Sequence, residues 1–207
     1  MTYIEGRNLF RSQLKVFFEI NEIDFYYTVI LNSFFKIEPT AISLYPETVF
    51  LPAKVKIIKV VLQRLLNEEP LQYILGTTFF RSLELLVTPV VLIPRPETEE
   101  LVEWVLEDYK SINHKHLVID MGTGSGCIAI SLAQEQPFFN VTALDISSKA
   151  LEIAKSNAIK NKTIINFLQA DITTLNSEIF PVNVIVSNPP YIHPREKKEM
   201  KNNVLNN

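Results

Sequence analysis

Glycine is scarce in this chain: five residues in 207, of which three fall together at Gly122, Gly124 and Gly126. A chain that spends most of its glycine in one loop marks that loop as a place where the backbone turns tightly or is approached closely. Cysteine is scarcer still. The single Cys127 has no partner for an internal disulfide, and the three histidines form no cluster with the spacing of a zinc finger or ribbon. A reducing cytoplasm is therefore the expected location, and no metal is expected. No segment reaches the ~18 uninterrupted apolar residues of a membrane span, and the N-terminus lacks the charged-then-apolar layout of a signal peptide. No membrane partner is expected. An excess of one charge is missing too, since 20 basic residues face 23 acidic ones for a net of −3. Nothing in that balance advertises a face for polyanions, so nucleic acid is not expected as a partner. What is present, 47% apolar and 21% charged residues, is the composition of an ordinary folded protein of one to two domains.

Residues 1–75 read as helices. Thr2 with Glu5 has the form of a capping box, followed by Phe10, Leu14, Phe17 and Phe18 on one face. Asn21 is the expected cap of a second helix, whose Ile23, Tyr26, Tyr27, Ile30, Leu31, Phe34 and Phe35 keep the spacing of a wide buried stripe. Pro39 ends that pattern. Pro52 suits the first position of a further helix with Val55, Ile58, Leu62, Leu65 and Leu66 on its apolar face. Eight basic and eight acidic residues cancel in this region, which reads as a helical packing or substrate-docking domain. Residues 76–95 change character. Thr77 to Phe80, Leu83 to Val87 and Val90 to Ile93 are β-prone runs, and a hairpin linker is expected there. Residues 96–207 form the expected third part. Pro96-Glu97-Thr98-Glu99 opens a helix with acidic residues where the macrodipole favours them, and Trp104 is expected in its core face with Val102, Val105 and Leu106. Beyond it Leu117 to Asp120, Val141 to Leu144, Ile164 to Leu168 and Val182 to Val186 are strand-like runs, the first three separated by helical patterns. That alternation predicts an α/β fold with a parallel sheet.

The chemistry gathers at two places on this frame. Asp120-Met121-Gly122-Thr123-Gly124-Ser125-Gly126 lies between a predicted strand and helix, where N–H groups at the helix start can receive a carboxylate or phosphate. It is not the phosphate loop of NTPases, for no Lys-Ser/Thr follows the last glycine. A purely structural turn would have the same composition. Asp145, twenty-three positions after Gly122, ends the next strand, where a carboxylate can accept both hydroxyls of a ribose. It could also cap a helix, although Ser147 or Ser148 can do that and leave Asp145 free. Asp171, after the third strand, lies on the same rim and carries the same two readings. Cys127 reads as a buried small residue at a helix start, where the helix dipole can lower a thiol's pKa. The second place is Asn188-Pro189-Pro190-Tyr191 directly after the fourth strand. Two prolines stiffen the backbone and remove two donors, Asn188 adds a side-chain acceptor, and Tyr191 adds a ring on which a planar group can stack. Such an acceptor pocket suits a planar NH2 group: adenine, guanine or a glutamine amide.

Asp-Met-Gly-Thr-Gly-Ser-Gly with a downstream Asn-Pro-Pro-Tyr resembles the class I S-adenosylmethionine-dependent methyltransferases that methylate amino groups. Glu69-Pro70-Leu71-Gln72-Tyr73-Ile74-Leu75-Gly76 and Leu92-Ile93-Pro94-Arg95-Pro96-Glu97-Thr98-Glu99 resemble segments of the release factor glutamine methyltransferases, the HemK type. The resemblance implies a helical N-terminal bundle, a β-hairpin linker and a Rossmann-like catalytic domain. It implies S-adenosylmethionine as cofactor and a peptide chain release factor as partner, methylated on the glutamine side chain of a Gly-Gly-Gln motif. Carried onto this chain, the cofactor-binding residues are Asp120, Gly122, Thr123, Gly124 and Gly126, with Asp145 at the ribose, Asp171 near the adenine, and Asn188 alongside. Asn188, Pro189, Pro190 and Tyr191 would take the substrate, with Asn188, Pro189 and Tyr191 acting in catalysis. An N6-adenine or rRNA guanine methyltransferase is the alternative within enzymes, and an inactive remnant or binding module the alternative outside them. Two departures stand out. Arg81-Ser82 replaces the aromatic and glycine usual at the hairpin turn. The implied sheet has seven strands, whereas four are read here, so the chain is expected to be truncated at its C-terminal end.

Overall fold

The computed structural model describes residues 1–174 and 181–189. The chain divides into two compact units, Met1–Leu75 and Gly76–Asn207. The first unit is helical: α1 (Tyr3–Leu14), α2 (Ile20–Phe35), α3 (Pro39–Leu44), α4 (Pro52–Leu66) and α5 (Leu71–Leu75). The capping box at its start is formed, with the Glu5 N–H donating to Thr2 Oγ1 at 3.2 Å and the Thr2 N–H donating to Glu5 Oε2 at 2.8 Å. Phe10, Leu14, Ile23, Tyr27, Ile30, Leu31, Ile58 and Leu65 are fully buried in its core. Gly6 lets α2 come close to α1, since a Cβ there would stand 2.5 Å from the Tyr27 hydroxyl. That hydroxyl donates to the Tyr3 carbonyl at 2.8 Å. Three sequence expectations need correction. The second helix begins at Ile20 with Glu19, not Asn21, in the cap position, because the Ile23 N–H already bonds the Glu19 carbonyl. Phe17 falls in the turn after α1, off the helical face it was assigned to, and stays exposed. Phe34, at the edge of the α2 stripe, is also exposed.

The second unit opens with β1 (Thr77–Phe80) and β2 (Leu83–Leu86), an antiparallel hairpin whose Phe80, Leu83 and Leu85 join the unit's main core. Arg81 at its turn takes a left-handed φ of 50°, costly for a side chain other than glycine. The residue is anchored to offset that cost. Its guanidinium reaches Glu135 and Glu103, each at 2.8 Å, and its N–H donates to Glu99 Oε1 at 2.9 Å. The expected third β run, Val90 to Ile93, is a turn instead. Pro89 sits at its second position and the Val91 N–H bonds the Thr88 carbonyl at 3.0 Å.

After α6 (Pro96–Asp108) the chain alternates β3 (His116–Met121), α7 (Cys127–Glu135), β4 (Phe139–Asp145), α8 (Ser148–Lys160), β5 (Asn166–Gln169) and β6 (Val184–Ser187). The strands form one parallel sheet in the order β5-β4-β3-β6, as the alternating pattern predicts. From β3 the chain winds outward through β4 and β5, then returns to the other side of β3 as β6. Open α/β sheets bind ligands at such a reversal, beyond the carboxyl ends of the strands. Trp104 departs from its expected place and is 71% exposed. Fully buried Val102 fixes the inner face of α6, and two residues of helix turn Trp104 roughly 200° away from it.

Candidate functional site

A cavity of about 480 Å³ opens at the reversal, in the size range of small-molecule sites. Its floor is the loop from Met121 to Ser125, one side is Asp145 to Ser147, and the other is Ser187 to Pro189. The loop is shaped by its neighbours. The Gly122 and Thr123 N–H groups both donate to the Leu144 carbonyl, at 2.8 and 2.9 Å, which folds the chain back against the end of β4. Gly122, Gly124 and Gly126 all have positive φ, at 74°, 54° and 83°. Two different needs lie behind this. A Cβ on Gly126 would meet Ala154 Cβ at 3.1 Å and Ile130 Cδ1 at 3.2 Å, so this glycine allows α7 and α8 to pack. A Cβ on Gly122 or Gly124 meets nothing within 4 Å, and both residues line the cavity. They leave backbone bare toward open space.

Asp120, just below the loop, is fully buried. Its Oδ2 accepts from the Thr123 hydroxyl at 2.6 Å and from the Ala129 N–H at 3.3 Å, while Oδ1 has no hydrogen-bond partner among the described residues. Burial pushes this carboxyl up to about 6, against the lowering effect of those two bonds. Burial also pushes the Cys127 thiol up to about 12, with the Asp120 charge adding to the rise. The helix start does not activate it. Desolvation outweighs the dipole there.

Asp145 is not free. Ser147 caps α8 as expected, accepting from the Ala150 N–H at 3.2 Å. Asp145 nevertheless holds the loop, with Oδ2 accepting from the Gly124 N–H and Oδ1 from the Ser147 N–H, each at 2.9 Å. Each oxygen keeps a further lone pair beside the cavity it lines. Asp171 also lines the cavity, and its Oδ1 closes a turn by accepting from the Thr173 N–H at 2.8 Å and the Thr173 hydroxyl at 2.7 Å. These bonds hold its carboxyl below the usual carboxylate range. Asn188 and Pro189 stand on the β6 side of the same cavity. Pro190 and Tyr191 lie outside the described residues.

Several contributors carry no clear mark in the sequence. Val90, Val91 and Leu92 form an apolar wall because their run is a turn and not a strand. Thr98 lines the cavity, and its hydroxyl accepts from Asn188 Nδ2 at 2.9 Å. Asn157 on α8 is fully buried. Its Nδ2 donates to the Ser125 and Leu86 carbonyls, each at 2.9 Å, and its Oδ1 accepts from the Leu86 N–H at 2.6 Å. Only a polar residue within an amphipathic run could have flagged it. Among the described residues no three His, Cys, Asp or Glu side chains gather as a metal site would need.

Residues 98–207 match the family described as "Methyltransferase small domain". The chain is 41% identical over 201 residues to the release factor glutamine methyltransferase of Flavobacterium psychrophilum, an alignment covering 96% of this chain and 70% of that one. It is 47% identical over 152 residues to the protein of the same description from Lactococcus lactis, covering 73% of this chain and 55% of that one. With the Bacillus subtilis protein of that description it shares 45% identity over 139 residues, covering 63% of this chain and 47% of that one. The chain thus spans 70% of the length of the first and about half of the other two.

Proposed function

Because the chain belongs to the release factor glutamine methyltransferase family, we propose that it methylates the side-chain amide nitrogen of the glutamine in the Gly-Gly-Gln motif of a peptide chain release factor, using S-adenosylmethionine. One observation carries the reading above the rest. The bare backbone at Gly122 and Gly124 and the Asn188-Pro189 rim share one cavity, so a donor and an acceptor can be held across a single crevice.

The residues present fit that cofactor. Gly122 and Gly124 leave the space a methionine chain needs, and Asp145 keeps one lone pair on each carboxylate oxygen for the two hydroxyls of a ribose. Ile146, Ile172 and the Val90 to Leu92 turn offer apolar surface for a flat base, with Asp171 beside it. Carboxylates at Asp145 and Asp171 favour a cationic ligand over an anionic one. When bound, the cofactor supplies a methyl group on a sulfonium sulfur, which becomes a neutral thioether as the C–S bond breaks and the new N–C bond forms.

The acceptor side has a different task. An amide nitrogen is a poor nucleophile because its lone pair is delocalised into the carbonyl, so placement has to do most of the work. Asn188 Oδ1 can accept one N–H of the substrate amide, and the Pro189 carbonyl can accept the other. The amide nitrogen gives up one proton to solvent as it gains the methyl group. A cytoplasmic location follows from the proposed substrate, since a release factor acts where proteins are made. No helix among the described residues is long and apolar enough to cross a membrane.

The test is incubation of the chain with labelled S-adenosylmethionine and a release factor, followed by mass spectrometry of the Gly-Gly-Gln peptide. One added methyl on the glutamine is expected, and Asn188→Ala should abolish it while leaving cofactor affinity within about threefold, since that residue faces the acceptor. A folded chain that binds no cofactor by calorimetry would instead be a remnant, and methylation of an oligonucleotide in place of the peptide would replace the substrate.

A further inference from the structure

We propose that Thr98 is a positioning residue that holds the Asn188 carboxamide by its nitrogen end and so leaves its oxygen toward a substrate. The inference rests on the glutamine reading above and deepens it.

A carboxamide is nearly symmetric in shape and opposite in chemistry at its two ends, with two N–H donors on one side and an acceptor oxygen on the other. Rotation by half a turn exchanges them. A substrate NH2 group needs the oxygen, and a flipped Asn188 would set donor against donor. The Thr98 hydroxyl accepts from Asn188 Nδ2 at 2.9 Å across a sequence separation of 90 residues, and both side chains line the cavity. This bond occupies the nitrogen end. Among the described residues none donates to Asn188 Oδ1, which is left as the acceptor.

Thr98 is itself held firmly. It is 5% exposed and sits in the first turn of α6, where its N–H donates to the Arg95 carbonyl at 3.0 Å. The adjacent Glu99 is clamped from the hairpin, with the Arg81 N–H on Glu99 Oε1 at 2.9 Å and the Arg81 guanidinium on the Glu99 carbonyl at 3.4 Å. A side chain on a loose loop could follow a rotating amide. This one stands on an anchored turn, so it limits how far the carboxamide bonded to it can swing.

The experiment compares the unaltered chain with Thr98→Val, which keeps the shape and removes the acceptor, and with Thr98→Ser, which restores it. Methyl transfer and cofactor affinity are measured together with the ¹⁵N-resolved side-chain NH2 signals of asparagine, the Asn188 pair being assigned by its loss in Asn188→Ala. Thr98→Val should lower kcat by about 10- to 100-fold, leave the Kd for S-adenosylmethionine within about twofold, and move the Asn188 NH2 pair toward solvent-exposed shifts. Thr98→Ser should recover the signals and most of the rate. The proposal is overturned if Thr98→Val transfers normally with an unmoved Asn188 pair, or if Thr98→Ser behaves like Thr98→Val. If the unaltered chain methylates no glutamine while the Asn188 pair still responds to Thr98→Val, the substrate reading fails and the hold of Thr98 on Asn188 stands.

Discussion

Asn157 Nδ2 donates to the Ser125 carbonyl at 2.9 Å, tying the middle of α8 to the glycine loop beneath the cavity. The same side chain satisfies both backbone groups of Leu86 on the hairpin, so one buried amide links three segments that are distant in sequence. Truncation of Asn157→Ala leaves these backbone groups buried without partners. The expected loss is about 3 kcal/mol of stability, read by urea unfolding, together with weaker cofactor binding. A loss under about 0.5 kcal/mol would mean that water replaces the amide without difficulty.

Gly122→Ala and Gly126→Ala should fail in different ways. Both force a side chain into positive φ, at about 1–2 kcal/mol each. At Gly126 the new methyl also presses on Ala154 and Ile130, so the main effect should be on unfolding. At Gly122 the methyl enters open space in the cavity, and cofactor affinity should fall at least about tenfold with only the strain cost in stability. Equal affinities for the two variants would remove Gly122 from the cofactor site.

Asp145→Ala removes the acceptor of the Gly124 N–H and, in the proposed complex, of the ribose hydroxyls. A decrease in cofactor binding of about 1.5–3 kcal/mol by calorimetry is expected. Unchanged binding would confine Asp145 to shaping the loop.

Asp120 makes stability depend on pH. Its carboxyl rises from the ordinary value to about 6 in the folded protein, so the folded state holds this proton more tightly than the unfolded chain does. Its contribution is fully present below pH ~4 and is lost as the pH rises through about 6, by about 3 kcal/mol in all. The difference in unfolding free energy between the unaltered chain and Asp120→Asn, measured from pH 4 to 7, should shift against the unaltered chain over that window. A flat difference would show that Asp120 ionises as readily folded as unfolded.

Much of this architecture could be read from local signals. The strand and helix alternation after Leu117 needed only apolar runs of the right length, and the glycine loop stood out because glycine is nearly absent elsewhere. Thr2 and Glu5 announced their capping box because all its atoms lie within one turn. What escaped was set by partners far along the chain. Nothing near Asn157 marks Leu86, 71 residues away, as its partner. Val90 to Ile93 has strand composition, yet Pro89 turns the chain there and the Val91 N–H bonds the Thr88 carbonyl. Asp145 looked free once Ser147 was assigned the cap, because the demand of the Gly124 N–H arises only when the loop folds back. Trp104 was misplaced by composition among apolar neighbours, although helical rotation already set it opposite Val102.

β3 lies between β4 and β6, so Asp145 and Asn188 extend from strands that share a single neighbour and never touch each other. The gauge of the crevice is therefore two interstrand spacings, about 10 Å, fixed by peptide hydrogen bonds and not by any side chain. Evolution can re-dress the two banks to suit another methyl acceptor, but the width of the channel belongs to the sheet.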